Sequence, residues 1–235
     1  MKKKAQKKGL AIRIIRKVFK IFLYGFLLSV LYILFCKWVN PPVTITQLGS
    51  VMGGSGLRRD YINYDKMGSP IKLAVMAGED QLFPDHNGFD FKSIQKAMKH
   101  NQKSKSLRGA STISQQVAKN VFLWQHGGYF RKGLEVYFTF MIEHIWDKKR
   151  ILEMYLNVAE MGKGVFGIEA ASQYYFKKPA ESLTKKEAAM IASCLPNPIL
   201  FTIKPMSARV SYRYPWILRQ MNNLQSDPDI QALLE

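Results

Sequence analysis

The chain has 235 residues, 47% of them hydrophobic, and a formal net charge of +18. That is long and apolar enough to bury the core of one ordinary domain, which excludes a chain held up only by disulfides. Nor does the charge by itself mark a nucleic-acid binder. Half of it comes from nine residues at the start (Lys2, Lys3, Lys4, Lys7, Lys8, Arg13, Arg16, Lys17 and Lys20), and no recognition motif accompanies the rest.

The basic run over residues 1–17 reads as a cytoplasmic tail. It leads into Ile21-Phe-Leu-Tyr-Gly-Phe-Leu-Leu-Ser-Val-Leu-Tyr-Ile-Leu-Phe-Cys36, which carries no charge. With its flanks, residues 18–39, this segment spans roughly 30 Å as a helix, the thickness of a bilayer core. Lys20 and Lys37 stand near its ends, where lysines snorkel, and Tyr32 and Trp38 suit the interface. A cleaved signal peptide is the competing reading, but Phe35-Cys36-Lys37-Trp38 lacks the small-residue cleavage pattern. The expectation is a retained single-pass anchor, N-terminus inside, with everything after Asn40 on the far side of the membrane. The two cysteines, Cys36 and Cys194, sit in no metal or redox spacing, and no bridge between them is expected.

Asn40-Pro41-Pro42 cannot continue a helix, and residues 40–70, rich in glycine, read as an irregular approach segment. Gly53-Gly54-Ser55-Gly56 lacks the Gly-Lys-Ser/Thr that a phosphate-binding loop requires. From residue 71 the periodicity is helical: a short apolar helix runs into Glu79, and further helices are expected over 91–103, 112–124, 131–145 and 148–157. A polar loop separates the first two of these, over 103–109. Thr184-Lys-Lys-Glu187 is a capping box opening another helix to about 194, and 209–224 is the last. No repeat and no β-sheet pattern is evident. The expectation is one mainly α domain over 71–225, with a short tail over 226–235.

Four clusters carry chemistry. Glu79-Asp80-Gln-Leu-Phe83-Pro-Asp-His86-Asn-Gly88-Phe-Asp90 packs carboxylates, an imidazole and an aromatic into twelve residues. A glutamate ending an apolar helix can be desolvated and raised towards a base's working range; a helix end followed by a solvated loop is the bland alternative. Next comes Arg108-Gly-Ala-Ser111-Thr112-Ile-Ser-Gln115-Gln116-Val-Ala-Lys119-Asn120. Ser111 or Thr112 with Gln115 would make a capping box, yet positions 112, 115, 116, 119 and 120 share one helix face, a polar stripe suited to sugars and phosphate. No Gly-x-Ser-x-Gly elbow supports a serine nucleophile. Arg131-Lys132-Gly-Leu-Glu135 could be no more than an i,i+4 pair. In Ile151-Leu-Glu-Met-Tyr155-Leu-Asn157 the apolar positions look like core.

In this order the four motifs resemble the peptidoglycan glycosyltransferases, found alone or as the N-terminal domain of bifunctional penicillin-binding proteins. The resemblance runs from about residue 71 to 224. With about ten residues left after it, the expectation is a monofunctional member without a transpeptidase domain. The resemblance implies an α-helical, lysozyme-like fold with a cleft near the membrane. It implies Glu79 as the base that deprotonates the sugar 4-hydroxyl of an incoming lipid II, and Glu135 as a second essential carboxylate on the pyrophosphate side, acting directly or through a divalent cation (Mg or Mn). It implies Lys119 and Arg131 as phosphate-positioning groups, and Phe83, His86, Ser111, Thr112 and Gln116 as cleft residues, with Asn120 and Lys132 beside them in the same motifs. No organic cofactor is implied. The partners implied are lipid II, the undecaprenyl-linked glycan chain, the membrane and other cell-wall synthesis proteins. One departure stands out: many relatives carry an arginine near position 127, where this chain has Gly127, which would shift the pyrophosphate's load to His126, Lys132 or a metal. The rivals are a lysozyme-like hydrolase or lytic transglycosylase, and a non-catalytic scaffold for wall synthesis.

Overall fold

The computed structural model describes residues 2–104, 109–125 and 127–235, so the core of the 103–109 loop, Arg108 with it, and His126 lie outside the described residues. Two compact units emerge, residues 1–39 and 40–235. The first is a single helix, α1 (Lys2–Trp38), whose stretch Ile12–Trp38 is long and apolar enough to cross a membrane. Most of its described apolar side chains, Phe19, Phe22, Leu28 and Leu31 among them, are exposed, whereas Ile33 and Cys36 are buried; so much exposed apolar surface suits a helix solvated by lipid.

The second unit is mainly helical. Its centre is α3 (Ser69–Glu79), opened by Pro70 in its first turn and buried from Ile71 through Ala77. A helix apolar on every face must be enclosed. Here α9 (Lys185–Cys194) and α10 (Ala208–Leu224) pack closely on it: a Cβ on Gly78 would lie 3.2 Å from Ile217 and 3.8 Å from Ala192. The expected capping box, Thr184 with Glu187, opens α9. A second layer joins α5 (Ile113–Phe122) to α6 (Tyr129–Ile145) and α7 (Lys148–Val158). Phe122 stacks on Phe138 at 4.7 Å to hold the first two together. The helix α4 (Phe91–Lys103) is capped by Asp90, which accepts the Ser93 N–H.

Three features depart from the sequence expectation. Residues 40–70 are not an irregular connector. They form α2 (Ile45–Met52), capped by a Thr44–Gln47 box, then the strand β1 (Arg58–Arg59) and a 3-10 turn over Tyr64–Lys66. Asn157, the last residue of the fourth motif, pins this segment by pairing with both backbone groups of Ile62, at 3.1 and 3.0 Å. Second, a small sheet exists, in the order β1-β3-β2 with β2 (Glu160–Gly162) and β3 (Val165–Phe166). Strands of two or three residues are too short to show alternation. Third, α8 (Ile168–Phe176) follows the sheet, and the expected tail forms α11 (Pro228–Leu234), which buries Ile230 and Leu233 against α3. The Lys72 ammonium, on a nearly fully buried side chain, sits 3.7 Å over the Tyr64 ring and donates to Leu234 O at 3.4 Å. No disulfide joins Cys36 and Cys194, and burial pushes the Cys194 thiol up to about 12.

Because α11 completes the core, Ile230→Ala is expected to cost about 2–4 kcal/mol in urea unfolding. A solvated tail would give no change.

Candidate active site

A cleft of about 1110 Å³ opens between the C-terminal end of α3, the N-terminal half of α5 and the α10 helix. Glu79, the last residue of α3, lies in its wall. Its Oε2 accepts a hydrogen bond from the Gln116 amide at 2.9 Å, and its Oε1 stands 3.8 Å from the Arg213 guanidinium. Burial pushes the Glu79 carboxyl above the ordinary carboxylate range and outweighs the Gln116 hydrogen bond and the Arg213 and Lys119 charges, which pull the other way. The Gln116 amide is itself oriented: its Oε1 accepts from the Tyr155 hydroxyl at 3.3 Å. Tyr155 is buried, and burial together with the nearby Glu79 and Asp80 charges holds its hydroxyl protonated.

The neighbouring carboxylate, Asp80, is used differently. Its Oδ1 and Oδ2 lie 3.0 and 3.1 Å from His86 Nε2, and Oδ2 accepts the Ile113 N–H at 2.9 Å. Asp80 therefore ties the end of α3 to the positive N-terminus of α5. His86 is locked in turn, since its Nδ1 accepts the Gly88 N–H. Gly88 has φ +86, and a Cβ there would lie 2.7 Å from Thr139, so only glycine fits this turn. Its carbonyl accepts the Thr112 hydroxyl at 2.7 Å. Phe83 is fully buried, with the Lys148 ammonium 4.6 Å from its ring.

The expected site residues thus divide. Glu79, Ser111, Thr112, Gln116 and Lys119 line the cleft. Thr112 and Gln115 also form the capping box of α5, so part of the expected polar stripe is spent on the helix terminus. Asn120 lines a smaller adjoining pocket of about 170 Å³, together with Thr46, Gln125, Tyr155 and Glu160, and Gln116 and Lys119 border both spaces. Phe83 and His86, expected in the cleft, lie outside its lining, because their side chains are used to build the turn behind Glu79.

Arg131, Lys132 and Glu135 form a separate ion cluster on α6. Glu135 is nearly buried, and its oxygens take Arg131 at 2.8 Å and Lys132 at 2.5 Å. Lys119 links this cluster to the cleft. Burial lowers its ammonium, and it feels Glu135 and Arg131 more strongly than Glu79. No carboxylate holds Lys119 at ion-pair distance among the described residues. The departure at position 127 has a local reason: a Cβ on Gly127 would lie 2.9 Å from Arg131 Cβ and 3.1 Å from Trp124 Nε1. Arg131 itself fills the space a side chain at 127 would enter.

Sequence reading missed Arg213 and Arg209, which line the cleft from α10. Arg213 donates to Gly78 O at 2.8 Å and lies 5.5 Å from the Trp216 ring. The signal was there, as Arg209, Arg213 and Trp216 follow one helical stripe. The Nε groups of Arg131 and Arg213 are buried without a partner among the described residues, donors left over for an anionic ligand. Among these residues no three His, Cys, Asp or Glu side chains converge as a metal site, and both oxygens of Glu135 are already engaged by cations. The donor set does not by itself build a cage for Mg or Mn.

A helical domain with one desolvated carboxylate in a cleft walled by Lys119, Arg209 and Arg213 defines a proton acceptor beside a site for an anion. Residues 45–222 match the family described as Transglycosylase, and the chain belongs to that family. It is 56% identical over 165 residues to a biosynthetic peptidoglycan transglycosylase of Mannheimia succiniciproducens, covering 70% of this chain and 68% of that protein. It is 42% identical over 220 residues to one of Aeromonas hydrophila (92% and 94% covered) and 44% identical over 218 residues to one of Pseudomonas aeruginosa (90% and 94%).

Two outcomes follow from the Glu79 environment. A carboxyl raised in the folded state penalises folding once it ionises, so the penalty grows as pH rises from the ordinary carboxylate value through the folded one. Glu79→Gln is therefore expected to melt above the wild type at pH 8, with the gap closing towards pH 4 in calorimetry. Gln116→Leu removes a charge-assisted hydrogen bond of about 1.5–3 kcal/mol and should move the acid limb of kcat/KM to higher pH. Tyr155→Phe should move it less, in the same direction.

Proposed function

We propose that this protein is a peptidoglycan glycosyltransferase that polymerises lipid II into β-1,4-linked glycan strands, with Glu79 as the base. The observation that carries this reading is the raised Glu79 carboxyl in a cleft that Lys119, Arg209 and Arg213 also line. The wall carries Lys96, Lys119, Arg209 and Arg213 against the carboxyls of Glu79, Asp80 and Asp90, so the cleft keeps a net positive field for a pyrophosphate.

The 4-hydroxyl of the acceptor sugar attacks the anomeric carbon of the lipid-linked donor chain. Glu79 takes the hydroxyl proton as the new C–O bond forms, and the anomeric C–O bond to pyrophosphate breaks with its electron pair, giving inversion. The proton then leaves Glu79 for solvent. Gln116 aims one carboxylate oxygen, and Tyr155 fixes Gln116. Undecaprenyl pyrophosphate is already a good leaving group, so charge stabilisation replaces the strong general acid of a glycosidase. Lys119 supplies that charge from the cleft wall. Glu135 acts one step back by holding Arg131 and Lys132 in place for the departing pyrophosphate.

The anchor gives the enzyme access to substrates that are themselves held in a bilayer by their lipid tails. Confinement to one surface raises their effective concentration. The basic residues before the apolar helix support an orientation with the N-terminus in the cytoplasm and the catalytic unit on the outer side of the bacterial inner membrane. Other cell-wall synthesis proteins are natural neighbours there.

With lipid II in detergent, the wild type is expected to yield polymer, and Glu79→Gln to lose about 10²–10⁴-fold in rate. Glu135→Gln should lose rate while keeping the acid limb where it was. Cleavage of finished glycan without any polymerisation would instead identify a hydrolase, and an active Glu79→Gln would identify a scaffold.

A further inference from the structure

The helix α2 is built inside out. Its polar residues face the domain: Gln47 is fully buried and donates to the Tyr61 hydroxyl at 3.0 Å, Thr46 accepts from the Gln125 amide at 2.7 Å, and Ser50 donates to Gly56 O at 2.8 Å. Its apolar residues face away. Ile45 is 48% exposed, Leu48 48%, Val51 50% and Met52 88%, and at steps of three and four they form one continuous face. The segment Ile-Thr-Gln-Leu-Gly-Ser-Val-Met holds no charge. A soluble helix shows the opposite pattern, so this outer face calls for an apolar cover.

The chain itself says what that cover is. α1 ends at Trp38 and α2 begins at Ile45, and the six residues between them reach at most about 20 Å. A helix tethered that closely to a membrane-spanning segment stays within range of the headgroup layer. The flank has matching charge: Arg59, exposed on β1, donates to Gln47 Oε1 at 3.2 Å, which sets a guanidinium beside the helix for anionic headgroups.

The geometry points to α2 as an interfacial helix that lies in the outer leaflet with Ile45, Leu48, Val51 and Met52 among the upper acyl chains. It is a second membrane contact, independent of the anchor. Through Thr46 it also bears on the site, because the Gln125 side chain that donates to Thr46 also donates to Asn120 Oδ1 at 3.2 Å, next to Lys119 on α5. Insertion of α2 would hold the Lys119 end of the cleft at headgroup level.

The test uses the full chain in vesicles of phosphatidylethanolamine and phosphatidylglycerol, with Cys36→Ser and Cys194→Ala removing native thiols. A nitrobenzoxadiazole label is attached at Leu48→Cys or Met52→Cys, and at exposed Asn223→Cys as the reference. Labels at 48 and 52 are expected to be quenched several-fold more than the reference by lipids carrying a spin label at acyl carbon 5, and less strongly by a label at carbon 12. Quenching no greater than at 223 overturns the proposal, as does disulfide pairing of Leu48→Cys between two copies without quenching. These readouts do not depend on the catalytic reading. A Leu48→Glu, Val51→Glu variant adds a functional arm: polymerisation should fall about tenfold with lipid II in vesicles and stay unchanged in detergent micelles. Equal activity in both overturns the coupling to the site.

Discussion

The structure turns on the desolvation of one carboxylate. Glu79 ends a helix that is buried along nearly its whole length, and removing its charge from water is worth more than the partners it is given. Gln116 donates one hydrogen bond and Arg213 stays at 3.8 Å, too long for a close ion pair. Asp80, one residue on, shows the contrast. It receives His86 and the first N–H of α5, and it is part of the frame. Two adjacent acids with different tasks emerge because α3 ends between them, leaving one facing the cleft and the other facing the start of α5.

The cations are divided in a similar way. Arg131 and Lys132 are tied to Glu135, whereas Lys119, between the two carboxylates electrostatically, has none of its own at ion-pair distance among the described residues. In a partly desolvated site an unneutralised ammonium acts strongly on charge that develops during reaction. A carboxylate paired to two cations orients them at low reorganisation cost. This arrangement suits a reaction whose leaving group arrives already anionic, and in the proposed mechanism the second glutamate holds two cations for it.

Much of the helical frame was legible because it rests on periodicity and caps. The 91–103 helix appears with those bounds, and Thr184 and Glu187 cap their helix as the spacing implies. The ordered motifs led to the family that the chain matches over residues 45–222. What stayed hidden depends on tertiary structure. Phe83 and His86 belong to the same motif as Glu79, and nothing in their spacing tells a cleft side chain from one buried behind it. Arg213 reaches Gly78 across 135 positions of sequence. The α2 helix escaped notice because its apolar side faces outward and its glycine-rich surroundings resemble a connector. Thr112 and Gln115 were legible both as a cap and as a groove lining; the structure uses them as the cap, with Thr112 serving the cleft wall as well.

The central claim is that Glu79 is a carboxyl held above its ordinary range by burial, and infrared titration reads it directly. The difference spectrum between wild type and Glu79→Gln isolates the carbonyl stretch of one protonated side chain. That band should persist well above the pH at which an ordinary glutamate has ionised, and should persist to still higher pH in the Arg213→Gln background. A band that disappears at or below the ordinary glutamate value of 4.5 would contradict the claim and remove the physical basis for Glu79 as the base.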